Sequence, residues 1–273
     1  MKKFLFYAVI LILVLVLLFS AWKIVGILGS YREGEDAYAA LTQYVSPAEP
    51  ASVVPNAHET APVTAGIPEE ASSWQDGPEE TDDTVWPLVD FEQLAQINPD
   101  IVGWILIEGT DISYPVVQGE DNDYYLRHLF DGTYNSSGSI FLDAYCSPDF
   151  SDPHSIIYGH HMKNDSMFSG LMEYKDQQYY EAHPTALLVT PTANYKIQFF
   201  SGYVTDNDAN AWETEFASME FADWLLEISG RSAFSSEFFP GEDDRIVTLS
   251  TCSYEFNDAK FVLHGYISTY SNK

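Results

Sequence analysis

The chain predicts a mainly β fold: a closed or nearly closed eight-stranded barrel interrupted by a few helices. Two observations carry this expectation. Between residues 101 and 268, eight short runs rich in Val, Ile, Tyr, Phe and Thr are separated by clusters of Gly, Pro, Asn and Asp, the pattern of strands and turns. In the same stretch one segment carries a clear helical stripe, with Phe221, Trp224, Leu225 and Ile228 on one face and Gly230 where a helix would stop. Many short strands with so little helix between them favour closure, because closing a sheet removes its unpaired edges.

The elements follow in order. Lys2 and Lys3 precede an uncharged run from Phe4 to Trp22, which Lys23 ends. Its 19 residues span roughly 28 Å at about 1.5 Å per residue, the thickness of a bilayer core. A cleaved leader has a shorter apolar stretch and a small-x-small site, whereas Trp22 and Lys23 follow here. Residues 4–22 therefore read as an uncleaved signal-anchor helix, with 1–3 cytoplasmic and the remainder extracellular. Residues 23–45 read as a juxtamembrane segment with a short helix over 31–45, since Tyr38, Leu41 and Val45 recur at helical spacing. Residues 46–85, rich in Pro, Ala, Glu, Thr and Ser, cannot bury enough surface to order themselves. They read as a disordered spacer with a reach of tens of ångströms.

An extracellular catalytic domain is expected over 86–273. Asp90 can cap a helix to Ile97, with Gln93 at the capping-box position and Asn98-Pro99 ending it. Strands are predicted at Ile101–Ile107, Ile112–Val117, Ser139–Leu142, Ser155–Tyr158, Ala186–Thr190, Tyr195–Val204, Arg245–Ser250 and Phe261–Ser268. The stripe near Trp224 places one helix between the sixth and seventh runs.

Charge excludes some functions. The formal net charge is −29, and residues 86–273 alone hold 8 Lys and Arg against 29 Asp and Glu. Such a surface repels phosphates, which argues against nucleic acid as a partner. It fits cationic, amine-bearing partners, although solubility is the plainer consequence of the charge. The two cysteines, Cys146 and Cys252, form no C-x-x-C pair, so neither a structural metal nor any other cofactor is expected. Counting permits a disulfide between them; a catalytic Cys252 requires a free thiol.

Cys252 ends the apolar run Ile246–Thr251, and His160 follows the run Ser155–Tyr158. A thiol becomes a useful nucleophile near neutral pH when an imidazole stabilises its thiolate and then protonates the leaving group. A cysteine and a histidine distant in sequence suit that arrangement. Cys146 reads as a small buried hydrophobe, and His58, His128, His154, His183 and His264 read as structural.

Beyond these patterns, the sequence resembles class B sortases. The resemblance rests on Asn98-Pro99-Asp100-Ile101-Val102-Gly103-Trp104, Tyr114-Pro115-Val116-Val117-Gln118, Tyr124-Tyr125-Leu126, Gly138-Ser139-Ile140-Phe141-Leu142-Asp143, Ile156-Ile157-Tyr158-Gly159-His160-His161-Met162 and Thr248-Leu249-Ser250-Thr251-Cys252. The fragments occur in consistent order over residues 88–268. The resemblance implies a sortase-type eight-stranded barrel with N-terminal helices. It implies a cysteine transpeptidase with Cys252 as nucleophile and His160, rather than His161, as acid/base. Where the family carries an arginine soon after the cysteine, this chain has Lys260. Lysine keeps the charge and loses the planar fork. Three accounts stand: Lys260 fills the role, Arg245 or Arg231 reaches the site, or activity is low and the barrel serves as a binding module.

Ser250, Thr251 and Tyr158 are candidates for orienting substrate. The implied partners are secreted proteins carrying a C-terminal sorting signal, of Asn-Pro-x-Thr or Ser-Pro-x-Thr type, cleaved at Thr through a thioester. The implied acceptor is an amine of peptidoglycan precursor or of another protein. An exported cysteine hydrolase with water as acceptor is the competing enzyme class.

Overall fold

The computed structural model describes residues 2–47, 84–207, 209–216 and 221–270. Eight strands form a closed barrel: β3 (Ile101–Leu106), β4 (Ser113–Val117), β5 (Ile140–Leu142), β6 (His154–Tyr158), β7 (Thr185–Val189), β8 (Asn194–Thr205), β9 (Arg245–Cys252) and β10 (Lys260–Tyr270). Their order around the barrel is β10-β8-β7-β3-β4-β5-β6-β9, with β9 closing on β10. All eight predicted strands form, each within a few residues of its expected limits. Helix α2 (Phe91–Ile97) has Asp90 as its cap, accepting from Gln93 N at 3.0 Å. Helix α4 (Phe221–Gly230) lies between β8 and β9, the position expected of it. Helix α3 (Gln177–Ala182) and the 3₁₀ segment before it, Ser169–Lys175, were not anticipated. Both are too short to display a helical period.

Two of the barrel's pairings are parallel, β4 with β5 and β6 with β9. The second matters most, because it sets the predicted histidine strand beside the predicted cysteine strand. Side-chain alternation splits β9 between two apolar clusters. Val247 and Leu249 join the main core with Phe199, Phe261 and Leu263, whereas Ile246 packs outward with Phe200, Val262 and the Trp224, Leu225 and Ile228 stripe of α4. By the same alternation Thr248, Ser250 and Cys252 share the face of Ile246. The carboxyl end of β9 therefore presents Cys252 outside the barrel.

The N-terminal expectations need correction. A separate juxtamembrane helix does not exist: α1 runs unbroken from Lys2 to Leu41. It is long and apolar enough to cross a membrane, and Phe4 to Leu28 leave their apolar side chains exposed. Its last turns instead enter the main core through Tyr38 and Leu41. β1 (Val45–Pro47) then pairs antiparallel with β2 (Pro87–Val89), and Asp90 N donates to Tyr44 O at 2.9 Å. The compact unit thus includes the end of α1 and does not start at residue 86. Helical periodicity located the second half of α1 but could not show that it continues the first. Most of the predicted spacer, residues 48–83, and His58 lie outside the described residues.

Candidate active site

β6 and β9 run in parallel with Tyr158 opposite Ser250, and Gly159 N donates to Ser250 O at 3.0 Å. Each chain then advances two residues in the same direction, to His160 and to Cys252. Both line one cleft of about 250 Å³, together with Leu126, Tyr158, Asn207, Trp212, Ser250, Thr251 and Lys260. Gly159 is required at the crossing. A Cβ there would lie 2.4 Å from Ile140 Cδ1 and 2.6 Å from Phe168 Cδ2, distances no methyl group tolerates.

Cys252 and Cys146 are both free thiols, so the disulfide that counting allowed is not made. Cys252 is half-buried at the end of β9. Lys260, opposite it in the β9–β10 ladder, brings Nζ to 3.3 Å from the sulfur. The other two cations weighed for this place lie elsewhere. Arg245 begins β9, seven residues and roughly 23 Å of strand from Cys252; its Nη1 donates to Phe150 O at 2.9 Å. Arg231 bonds to Glu227 and lies over the Tyr203 ring.

The adjacent histidines divide their tasks. His160 Nε2 lies 2.7 Å from Leu126 O, a pure acceptor, so Nε2 carries the proton and Nδ1 is the nitrogen left to exchange one. His161 Nδ1 donates to Cys252 O at 3.0 Å and holds the backbone at the end of β9. Tyr254 covers His161, with its hydroxyl donating to His161 O at 3.0 Å.

The three candidate orienting residues differ in availability. Ser250 Oγ accepts from Trp212 Nε1 at 3.2 Å and so anchors that indole on the cleft wall. Tyr158 donates to Asp143 Oδ2 at 3.0 Å; burial first, and then that carboxylate, push its phenol far above the usual range. Thr251 alternates to the inner face, is 2% exposed, and its hydroxyl has no hydrogen-bond partner among the described residues.

The other cysteine–histidine combination, Cys146 and His154, makes no comparable site. Burial pushes the Cys146 thiol up to about 11, and its sulfur lies 3.8 Å from His154 O. Both ring nitrogens of His154 are committed, Nδ1 to Glu213 O at 2.7 Å and Nε2 to Thr248 Oγ1 at 2.6 Å. Burial pulls its pKa down to about 4, which keeps it neutral.

Sequence reasoning missed Leu126 as a partner of His160, because the contact is through a backbone carbonyl that no side chain announces. It also missed Trp212 and Asn207. A lone tryptophan in the polar segment between β8 and α4 was the available signal.

A family model described as a sortase domain matches residues 105–267. A sortase B of Listeria monocytogenes is 38% identical over 183 residues, covering 66% of this chain and 74% of that protein. A sortase B of Staphylococcus aureus is 36% identical over 169 residues, covering 62% and 69%. Among solved structures, the Staphylococcus aureus sortase B crystal structure superposes with a TM-score of 0.63 at 34% identity, covering 66% of this chain and 87% of that one. A Clostridium perfringens sortase B superposes at 0.62 with 34% identity, covering 65% and 99%.

Proposed function

The chain belongs to the sortase family, as a class B sortase, and from this we propose that Cys252 is its nucleophile, His160 its acid/base and Lys260 the cation that steadies the reacting thiolate and oxyanion. As a sortase it acts on a sorting-signal substrate and an amine acceptor. One observation carries the assignment of residues. The parallel register of β6 and β9 sends His160 and Cys252 into the same cleft, with Lys260 Nζ 3.3 Å from the sulfur.

The chemistry follows from these three groups. The Cys252 thiolate attacks the carbonyl carbon of the signal's Thr, forming a C–S bond and a tetrahedral oxyanion. Ser253 N–H is already committed to Ala259 O at 2.8 Å, and the Lys260 ammonium, 3.3 Å from the sulfur, is the donor assigned to meet that charge. Imidazolium His160 gives a proton from Nδ1 to the departing amine, the C–N bond breaks, and a thioester remains. An acceptor amine then attacks the thioester; neutral His160 takes its proton and the thiolate leaves. The product is a surface protein joined to the wall by an amide. Its signal is of the Asn-Pro-x-Thr or Ser-Pro-x-Thr type, as the resemblance in sequence suggests.

α1 fits a single-pass membrane anchor with the barrel on the extracellular side. The test is mass spectrometry of the enzyme with candidate pentapeptides, with and without a diaminopimelate- or glycine-type amine. Thioester at Cys252 followed by amide product supports the reading. Hydrolysis alone, unchanged by the amine, would overturn it in favour of a hydrolase.

A further inference from the structure

We propose that α1 is a rigid strut joining the membrane span to the barrel, so that the catalytic cleft is held at a fixed height against the lipid headgroup surface. The inference rests on the reading of α1 as a membrane anchor and goes beyond it, because an anchor alone would leave the barrel free on a tether.

Four sets of contacts weld the last turns of α1 to the barrel. Tyr38 OH donates to Gly138 O at 2.6 Å and lies 3.0 Å from Ser139 Oγ. Asn135 Nδ2 bonds to Ser30 O and Glu33 Oε2. Asn164 Nδ2 donates to Glu35 Oε1 at 2.6 Å. Gly34 lies so close that a Cβ would sit 2.7 Å from Ser137 Oγ. Tyr38 and Leu41 are buried in the main core, and burial drives the Tyr38 phenol far above its usual range.

The stretch rich in Pro and Glu cannot act as the tether. It leaves the compact unit at Pro47 and returns at Pro87, and these two residues pair in the two-stranded β1–β2 sheet beside the barrel. Whatever path the intervening chain takes, its ends are fixed side by side in that sheet, so its length adds nothing to the distance between barrel and membrane. That distance is set by α1 alone.

The same contacts orient the cleft. Asn164 belongs to the segment that follows His160 and His161, and it is tied to Glu35. Tyr254, two residues beyond Cys252, covers His161, the residue that follows His160. The segment that follows His160 therefore meets α1 at Glu35. The exposed apolar face of α1 extends to Leu28. Seven residues separate Leu28 from Glu35, on the order of 10 Å along a helix. Trp22 and Lys23 lie near that boundary, residue types that settle at the membrane–water interface. Gly26 and Gly29 are the weakest points of the strut, since glycine loosens a helix and nothing packs against either.

The experiment uses the full chain in lipid vesicles with one substrate peptide presented two ways, free in solution or carried on a lipid in the same vesicle. An eight-residue Gly-Ser insertion after Leu28 frees the barrel from the span. A strut predicts at least a tenfold loss of rate on the lipid-borne peptide with the soluble-peptide rate unchanged within twofold. Deletion of residues 50–82 is expected to leave both rates unchanged within twofold. Gly26→Ala/Gly29→Ala, which stiffens the helix, is expected to keep or raise the lipid-borne rate. Full lipid-borne activity through the inserted linker, or its loss on deleting 50–82, would overturn the strut while leaving the anchor intact. Release of the chain by carbonate washing would overturn the anchor reading and the strut together.

Discussion

At the scale of single residues, the least expected group is Lys260. Lysine supplies a point charge without the planar fork of the arginine that the sequence resemblance leads one to expect here, and its Nζ lies 3.3 Å from the Cys252 sulfur. Removing the charge with Lys260→Ala is expected to lower kcat/KM for transpeptidation by about 10²-fold, the usual cost of one oxyanion donor. Lys260→Arg is expected to raise it. An alanine variant as fast as wild type would make Lys260 a bystander. The buried histidines behave differently. Tyr203 OH donates to His264 Nε2, His264 Nδ1 to Thr248 Oγ1, and Thr248 to His154 Nε2, a chain that closes when His154 Nδ1 donates to Glu213 O. It works only with both rings neutral. Burial lowers His154 to about 4 and His264 well below the ordinary value, whereas both titrate near 6.5 once unfolded. The unfolded chain therefore takes up protons at a higher pH than the folded one. The stability these residues confer is complete above about pH 6.5 and is lost as pH falls toward 4. For His154 alone this is roughly 3 kcal/mol. Thermal melts of wild type and His154→Gln should differ most at pH 7, and the gap should narrow steadily toward pH 4.5.

At the scale of elements, the site depends on how two strands end. β6 and β9 can deliver His160 and Cys252 to one cleft because their pairing is parallel, so both end on the same rim. Gly159 is the hinge of that delivery. Gly159→Ala forces a methyl into Ile140 and Phe168, and overpacking of this kind costs about 1–3 kcal/mol. The expected result is a Tm lower by roughly 3–8 °C, with a loss of rate larger than the loss of folded protein explains. Retention of full activity and Tm would mean that β6 shifts without disturbing His160. The docking of α1 is testable in the same way. Tyr38→Phe removes a buried hydroxyl that serves Gly138 O and Ser139 Oγ, and should cost about 1–2 kcal/mol in a chemical melt.

At the scale of the whole molecule, charge and attachment dominate. A net charge of −29 on 273 residues places many like charges within a screening length of one another. Raising NaCl from about 10 mM to about 300 mM shortens that length roughly fivefold and is expected to raise Tm. A falling Tm would mean that favourable ion pairs outweigh the self-repulsion. The strut proposed for α1 would give the molecule a defined face toward the bilayer. A barrel so held would meet its substrates from a fixed direction, where a tethered barrel would sample a hemisphere.

Much of this was legible in the linear chain. The eight strands, the cap at Asp90, the stripe of α4 and the apolar run at the N-terminus are all signalled by residues close in sequence. Backbone periodicity, turn residues and capping act over a few positions, and they register there directly. Cys252 and His160 stood out because each ends an apolar run, and the family resemblance joined them. Tertiary structure alone decided what depends on contacts between distant segments. These are the parallel register of β6 with β9, the reach of Lys260 to the sulfur, the tautomer that Leu126 O imposes on His160, and Trp212 on the cleft wall. The fusion of α1 to the barrel belongs with them: it rests on hydrogen bonds that join residues about a hundred positions apart. Local pattern carries no record of such pairs, because chain closure brings them together only once the barrel has formed.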